Sequence, residues 1–257
     1  MSADFVARCR LFALRITDEA FFSGVTAARL LGVPLPLTLA RDATLDVTVP
    51  APDRAPHATG LRGHARRVPD GDVQATDGLR HSSPERLMCE LATTLTLPYL
   101  VAAGDHLLAG RTPQTTVSRL LNRTRAGDRL GRTRLLRDAL PLLDERAESP
   151  TESIVRTHLI LAGLPRPEAN LVVVARTATE PAIRVDLAYT DRMVAVEYQG
   201  DYHRDREQWR RDMARRARLE DLGWSVVELT GADLADPGAI IHRVRRALTR
   251  AGRAHSP

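Results

Sequence analysis

Ile183-Arg184-Val185-Asp186-Leu187-Ala188-Tyr189, followed after a short turn by Met193-Val194-Ala195-Val196-Glu197-Tyr198-Gln199, decides the reading of this chain. Ile183, Val185, Leu187 and Tyr189 alternate with Arg184, Asp186 and Ala188, the period-2 pattern of a β-strand. In the second run Val194, Val196 and Tyr198 fall on one face, and Met193, Ala195, Glu197 and Gln199 on the other. The two runs read as a β-hairpin with Asp191 and Arg192 as turn residues, which sets position 190 against 193 and 186 against 197. Directly paired residues share a face, so Asp186 is expected beside Glu197, with Gln199 two places further on. Two acids on half-buried strands are costly unless something compensates them, and a divalent cation is a common compensator. The plain alternative pairs each acid with an arginine, and Arg184 and Arg204 are close in sequence.

Beyond the hairpin, His203 precedes a basic segment. A histidine there either takes a proton from water or contacts a phosphate, or is simply solvated. Residues 202–219 carry arginines at 204, 206, 210, 211, 215, 216 and 218. They cannot all face one way on a helix; some suit a phosphate track, others a solvated face. The helix is expected over about 205–222. Trp224-Ser-Val-Val-Glu-Leu229 then reads as a buried strand. Strand, helix and strand in that order favour a parallel crossover and a mixed sheet. A last helix follows Asp236-Pro237.

Ahead of the hairpin, Leu171 to Ala175 is a further strand, and Ser149-Pro150-Thr151-Glu152 is a capping box with Pro at the first helical position. Glu152 has two readings that do not exclude each other: a cap, or an accessory ligand from a helix N-terminus that faces the acid pair. His158, on the apolar stripe of that helix, reads as core. Upstream, Leu45 to Val49 and Arg62 to Val68 are strands. Ser82-Ser83-Pro84-Glu85 starts a helical stretch, with helices expected over 84–95, 98–109, 113–125 and 131–143. These patterns divide the chain into domains 1–147 and 148–257.

The chain has 257 residues and a formal charge of +5, and every one of its 37 basic residues is arginine. That mild excess is compatible with nucleic acid and equally with a GC-rich coding sequence. Cys9 and Cys89 are too few for a disulfide framework or a thiolate zinc site. No apolar run approaches the length of a membrane span and no signal-peptide pattern opens the chain, so the expectation is a cytoplasmic protein without a membrane partner.

Taken as an ordered set, Glu152, the 170–175 strand, Arg184-Val-Asp186-Leu, Val196-Glu197-Tyr-Gln-Gly200-Asp-Tyr-His203, Trp209-Arg-Arg-Asp212-Met-Ala-Arg215 and Leu222-Gly-Trp224 resemble the very-short-patch-repair-like endonuclease domain. That domain belongs to the PD-(D/E)XK nuclease superfamily, and the likeness covers roughly residues 148–250. It implies an α/β (α+β), restriction-endonuclease-like fold: a mixed central sheet flanked by helices, preceded here by a smaller, mixed, mostly helical domain. It implies Mg²⁺- or Mn²⁺-dependent cleavage of DNA, with Asp186 and Glu197 as metal ligands, Glu152 as accessory acid and His203 as assisting histidine. The superfamily pattern ends in Glu-X-Lys, whereas this chain has Gln199 at the third position and no lysine anywhere. Glutamine can hold a water but supplies no positive charge.

More faintly, Val47-Thr-Val-Pro50, Ser83-Pro84-Glu85-Arg86 with the helix after it, and Ala103-Gly-Asp105 resemble the non-DNA-binding part of abortive-infection type IV antitoxins. The expectation is therefore a nuclease or nickase domain acting on DNA, with Asp186, Glu197, Gln199, His203 and Glu152 at its centre. Arg184, Arg204, Arg211 and Arg215 are expected on the phosphates, and the N-terminal domain is expected to bind a protein partner or nucleic acid. The rival is a non-catalytic nucleic-acid-binding or antitoxin-like module that keeps the same fold.

Overall fold

The computed structural model describes residues 3–125, 133–173, 182–199 and 206–254. The chain forms two compact units, Met1–Glu145 and Arg146–Pro257. Both are mixed α/β, each with a mixed sheet flanked by helices. The first is the larger of the two, and as expected more of it is helix than strand. Its elements are α1 (Ala3–Ala13), β1 (Phe21–Phe22), α2 (Gly24–Leu30), α3 (Leu37–Ala40), β2 (Leu45–Pro50), β3 (Leu61–Arg66), β4 (Val73–Thr76), β5 (Leu79–Ser82), α4 (Pro84–Leu91), α5 (Leu97–Leu108), α6 (Val117–Arg125) and α7 (Thr133–Ala139). A five-stranded sheet in the order β3-β2-β1-β5-β4 runs through it. β1, β4 and β5 escape a sequence reading because they are two to four residues long and lack a sustained alternation.

Ser83 caps α4: its hydroxyl accepts from the Arg86 amide at 3.4 Å, with Pro84 next in line. That cap aims Arg86 inward, where it is fully buried and organises an ionic core. Its Nη1 donates to Asp72 at 2.9 Å and its Nε to Glu90 at 2.7 Å. Arg123 reaches the same Asp72 through both terminal nitrogens, at 2.6 and 2.8 Å. The apolar packing of Leu87, Met88 and Leu91 against Leu100, Ala103 and Leu107 surrounds this network.

The second unit contains α8 (Pro150–Leu161), β6 (Glu168–Val173), β7 (Ile183–Tyr189), β8 (Val194–Gln199), α9 (Arg206–Asp221), β9 (Ser225–Thr230) and α10 (Pro237–Ala254). Its sheet has the order β6-β7-β8-β9, antiparallel between the first three strands and parallel between β8 and β9. Leu187, Val196, Val227 and Leu229 pack with Val155 and Leu159 of α8 and Ile240 and Val244 of α10. Ala188, Ala195 and Val226, of the opposite parity, pack with Leu219 of α9 and with Trp224. Helices thus cover both faces. β9 is an edge strand, and Arg243 of α10 lays its guanidinium on the edge carbonyl of Glu228 while Asp233 holds it at 2.8 Å. Among the described residues no helix is long and apolar enough to cross a membrane.

The ionic core of the first unit makes a clear prediction. Arg86→Leu leaves Asp72 and Glu90 buried with one cation fewer, and should lower unfolding free energy by about 3–5 kcal/mol in urea denaturation. A change below about 1 kcal/mol would mean that Arg123 alone carries the network.

Candidate functional site

The hairpin register places the site. Leu187 pairs with Val196, Ala188 with Ala195 and Tyr189 with Val194, so continuing the ladder sets Asp186 against Glu197. The ladder has the expected register and stops at Leu187 and Val196, one step short of Asp186 and Glu197, and the turn differs. The connection is a 3₁₀ turn over Thr190–Arg192 followed by Met193 in the left-handed region (φ 50°), rather than a two-residue turn at 191–192. A loop of four residues closes the same ladder as a loop of two, so the facing of every side chain is unchanged.

Glu197 is 5% exposed. Arg215 of α9 grips it through both terminal nitrogens, one at 3.0 Å from Oε1 and the other on Oε2. The same guanidinium donates to the Arg184 carbonyl. Burial, and then the negative charge of Asp186, push the Glu197 carboxyl from 4.5 up to about 7, against the pull of Arg215. Asp186 accepts a hydrogen bond from the Tyr198 amide at 2.8 Å. Its carboxyl is also raised, first by burial and then by Glu152, while the Tyr198 amide and Arg215 oppose the shift. Asp186 thus disfavours the charge of Glu197, Glu152 disfavours that of Asp186, and Arg215 is the strongest cation acting on both.

Glu152 does two jobs. The Ser149 hydroxyl accepts from the Glu152 amide at 3.2 Å, which is the expected cap. The carboxylate does not close the box on Ser149. It accepts instead from the Glu148 amide at 3.2 Å and from Asn170 Nδ2 at 2.7 Å. Asn170 stands in β6 with φ 51°, a left-handed residue inside a strand, and its amide also reaches the Arg146 carbonyl at 2.7 Å. That kink turns the Asn170 side chain toward the start of α8 and ties Glu152 to the sheet.

Gln199, at the end of β8, donates to Glu228 at 2.7 Å. Glu228 pairs directly with Glu197 across the parallel ladder and is held at 3.0 Å by Arg216. Asp186, Glu197 and Glu228 thus form a row of acids across three adjacent strands, interleaved with Arg215 and Arg216 from α9. Glu228, Arg216 and Asn170 were not singled out from sequence. Only the pairing of β8 with β9, made through a long crossover, brings Glu228 alongside. Of the arginines expected on phosphate, Arg184 is ion-paired with Glu148 at 2.8 Å, Arg215 is committed to Glu197, and Arg211 is exposed on α9. His203 and Arg204 lie outside the described residues. His158 of α8 is half-buried, and burial lowers its pKa.

Among the described residues no group of three or more His, Cys, Asp or Glu side chains is arranged to hold a metal ion. The nearest oxygen donors are the carboxylates of Asp186 and Glu197, the latter with both oxygens on Arg215. Such a pair, with waters completing the shell, is the set that Mg²⁺ uses, and its unfavourable charge is what a dication relieves. The donor chemistry fits.

Burial of Glu197 links stability to pH. A folded-state pKa above the unfolded one means that the folded protein binds more protons between about pH 4.5 and 7, so this group's stability is present below that window and lost as pH rises through it. The loss should be on the order of 3 kcal/mol. Glu197→Gln should remove most of this slope, and should gain stability relative to wild type between pH 5 and pH 8. Parallel urea curves at the two pH values measure it; an identical slope in the variant would place the perturbed proton elsewhere.

No family model matches the chain. Two proteins of Mycobacterium tuberculosis, uncharacterized protein MT2308 of strain CDC 1551 and uncharacterized protein Rv2248 of strain H37Rv, are each 32% identical to it over 183 residues. The match takes in 70% of this chain and 65% of each relative's length. A crystal structure of the Rv2827c protein from the same organism is 17% identical, covers 68% of this chain and 66% of its own, and superposes with a TM-score of 0.37.

Proposed function

We propose that the second unit is a metal-dependent DNA endonuclease or nickase that hydrolyses phosphodiester bonds. The observation that carries this reading is the pair of raised carboxyls brought near one another by the hairpin register, the half-buried Asp186 and the buried Glu197, whose charge Asp186 opposes. Perturbed acids paired in this way are characteristic of sites built around a charged reaction partner. The two carboxylates would hold Mg²⁺ or Mn²⁺, and Glu152 would complete the acidic wall from the start of α8. Once bound, the ion would make water a nucleophile near neutral pH and offset charge on phosphate. Arg215 lies beside the pair and, with Arg211 and Arg184, would have to exchange its present contacts to steady a phosphate. Gln199, its amide oriented by Glu228, would position water by hydrogen bonds in place of the lysine of the superfamily pattern. The first unit would bind a protein partner or nucleic acid, and the chain would act in the cytoplasm.

One observation favours a second reading. The grip of Arg215 on both oxygens of Glu197 already supplies a counter-charge. With Gln199 in place of lysine, this suits a nucleic-acid-binding or antitoxin-like module that has kept the fold and lost the chemistry. Supercoiled plasmid incubated with Mg²⁺ or Mn²⁺ separates the two. The nuclease reading expects nicked or linear product that falls about a hundredfold or more in Asp186→Ala, the scale of losing a preorganised electrostatic group. A gel shift without cleavage, the same in wild type and variant, would establish the binding module instead.

A further inference from the structure

The last helix carries charge of one sign. From Pro237 to Ala254, α10 holds arginines and no acid. Ile240 and Val244 bury its inner face in the core of the second unit. Arg243, Arg245, Arg246 and Arg250 are exposed. At about 100° per residue, Arg243, Arg246 and Arg250 fall within about 60° of one another around the helix, and Arg245 lies on the other flank. The flank with three arginines faces β9. Together with Arg216 of α9 they line a cleft of about 340 Å³ along that strand.

Charge in this cleft is unbalanced. Among the described residues the one acid in its lining is Glu228. Its two carboxylate oxygens already accept from Gln199 at 2.7 Å and from Arg216 at 3.0 Å. Asp233 holds Arg243 at 2.8 Å, whereas Arg246 and Arg250 form no ion pair among the described residues. Along the helix axis the three α10 arginines are spaced about 4.5 and 6 Å apart. A single small anion would engage one or two of them. A row of cations at that spacing complements a polyanion, and double-stranded DNA carries one negative charge per about 1.7 Å of its axis. The planar guanidinium also matches phosphate geometry, two donors to two oxygens. The cleft leads to the acid pair: Glu228 stands opposite Glu197 in the β8–β9 ladder, one strand spacing of about 4.8 Å away. A backbone laid along the cleft would pass beside the acidic row.

We propose that this cleft binds the phosphate backbone of DNA, with Arg246 and Arg250 on neighbouring phosphates and Arg216 and Arg243, each braced by an acid, at its margins. The choice of DNA as the polyanion rests on the endonuclease reading; the excess of positive charge does not.

Fluorescence anisotropy of a short labelled duplex with the full chain tests it, in EDTA so that nothing is cut, between about 50 and 200 mM salt. Affinity of the wild type should fall steeply with salt. Arg246→Gln with Arg250→Gln should lower the slope of log affinity against log salt by about 2, and weaken binding about tenfold or more at 0.1 M salt; Arg246→Gln alone should lower the slope by about 1. These variants should melt with the wild type, because neither arginine holds another element. Arg245→Gln removes the same charge one residue away, on the other flank, and should keep the wild-type slope. The proposal is overturned if the duplex does not bind, if the double variant keeps the wild-type slope, if Arg245→Gln lowers it as much as Arg246→Gln, or if poly-L-glutamate displaces the duplex at equal charge concentration, which would assign the cleft to an acidic protein. Loss of binding in the double variant, with a wild type that never nicks plasmid, would keep the cleft and remove the endonuclease. Nicking abolished by Asp186→Ala, with the double variant binding as wild type, would do the reverse.

Discussion

The second unit is governed by a single electrostatic constraint: the register between β7 and β8 brings the half-buried Asp186 near the buried Glu197, and among the described residues Arg215 is the guanidinium that acts most on both. Everything near the pair can be read as accommodation to that. The Tyr198 amide turns to Asp186, Arg215 spans Glu197, and Asn170 adopts a left-handed backbone to restrain Glu152. These arrangements do not cancel the cost of burial and of neighbouring negative charge, which still raise both carboxyls. A fold optimised only for stability would place apolar side chains there.

The same constraint explains how the polar row is shielded. α9 supplies arginines at 215 and 216, adjacent in sequence and therefore splayed, so that one serves Glu197 and the other Glu228. Leu219, one turn further along, anchors the helix on Ala188 and Ala195. The helix is thus apolar where it must hold the sheet and cationic where the sheet is acidic.

Much of this was legible in the residues. Alternation within 183–189 and 193–199 fixed the hairpin ladder, because a slip of one position would have turned Leu187 and Val196 out of the core. Ser149 and Ser83 declared their helix starts, and the strand–helix–strand order from β8 to β9 declared a parallel neighbour. What stayed hidden depended on distance or on brevity. Glu228 is a lone acid in an apolar run, and nothing local says that it will lie beside Glu197. The short strands β1, β4 and β5 gain their order from tertiary pairing, not from pattern, so they were not legible beside the helices of the first unit. The turn at 190–193 concealed its 3₁₀ geometry because Met193 is not a residue type that announces a positive φ.

The guanidinium of Arg243 at the margin of β9 has a consequence for assembly. An outermost strand exposes a row of main-chain donors and acceptors that invites a strand from another molecule. Here the Glu228 oxygen is already occupied, and Asp233, which also accepts from the Thr230 amide at 2.7 Å, fastens the occupant in place. A neighbouring copy seeking to extend the sheet on this side would meet a clamped positive charge in place of an open carbonyl, so the fold carries its own guard against edgewise polymerisation.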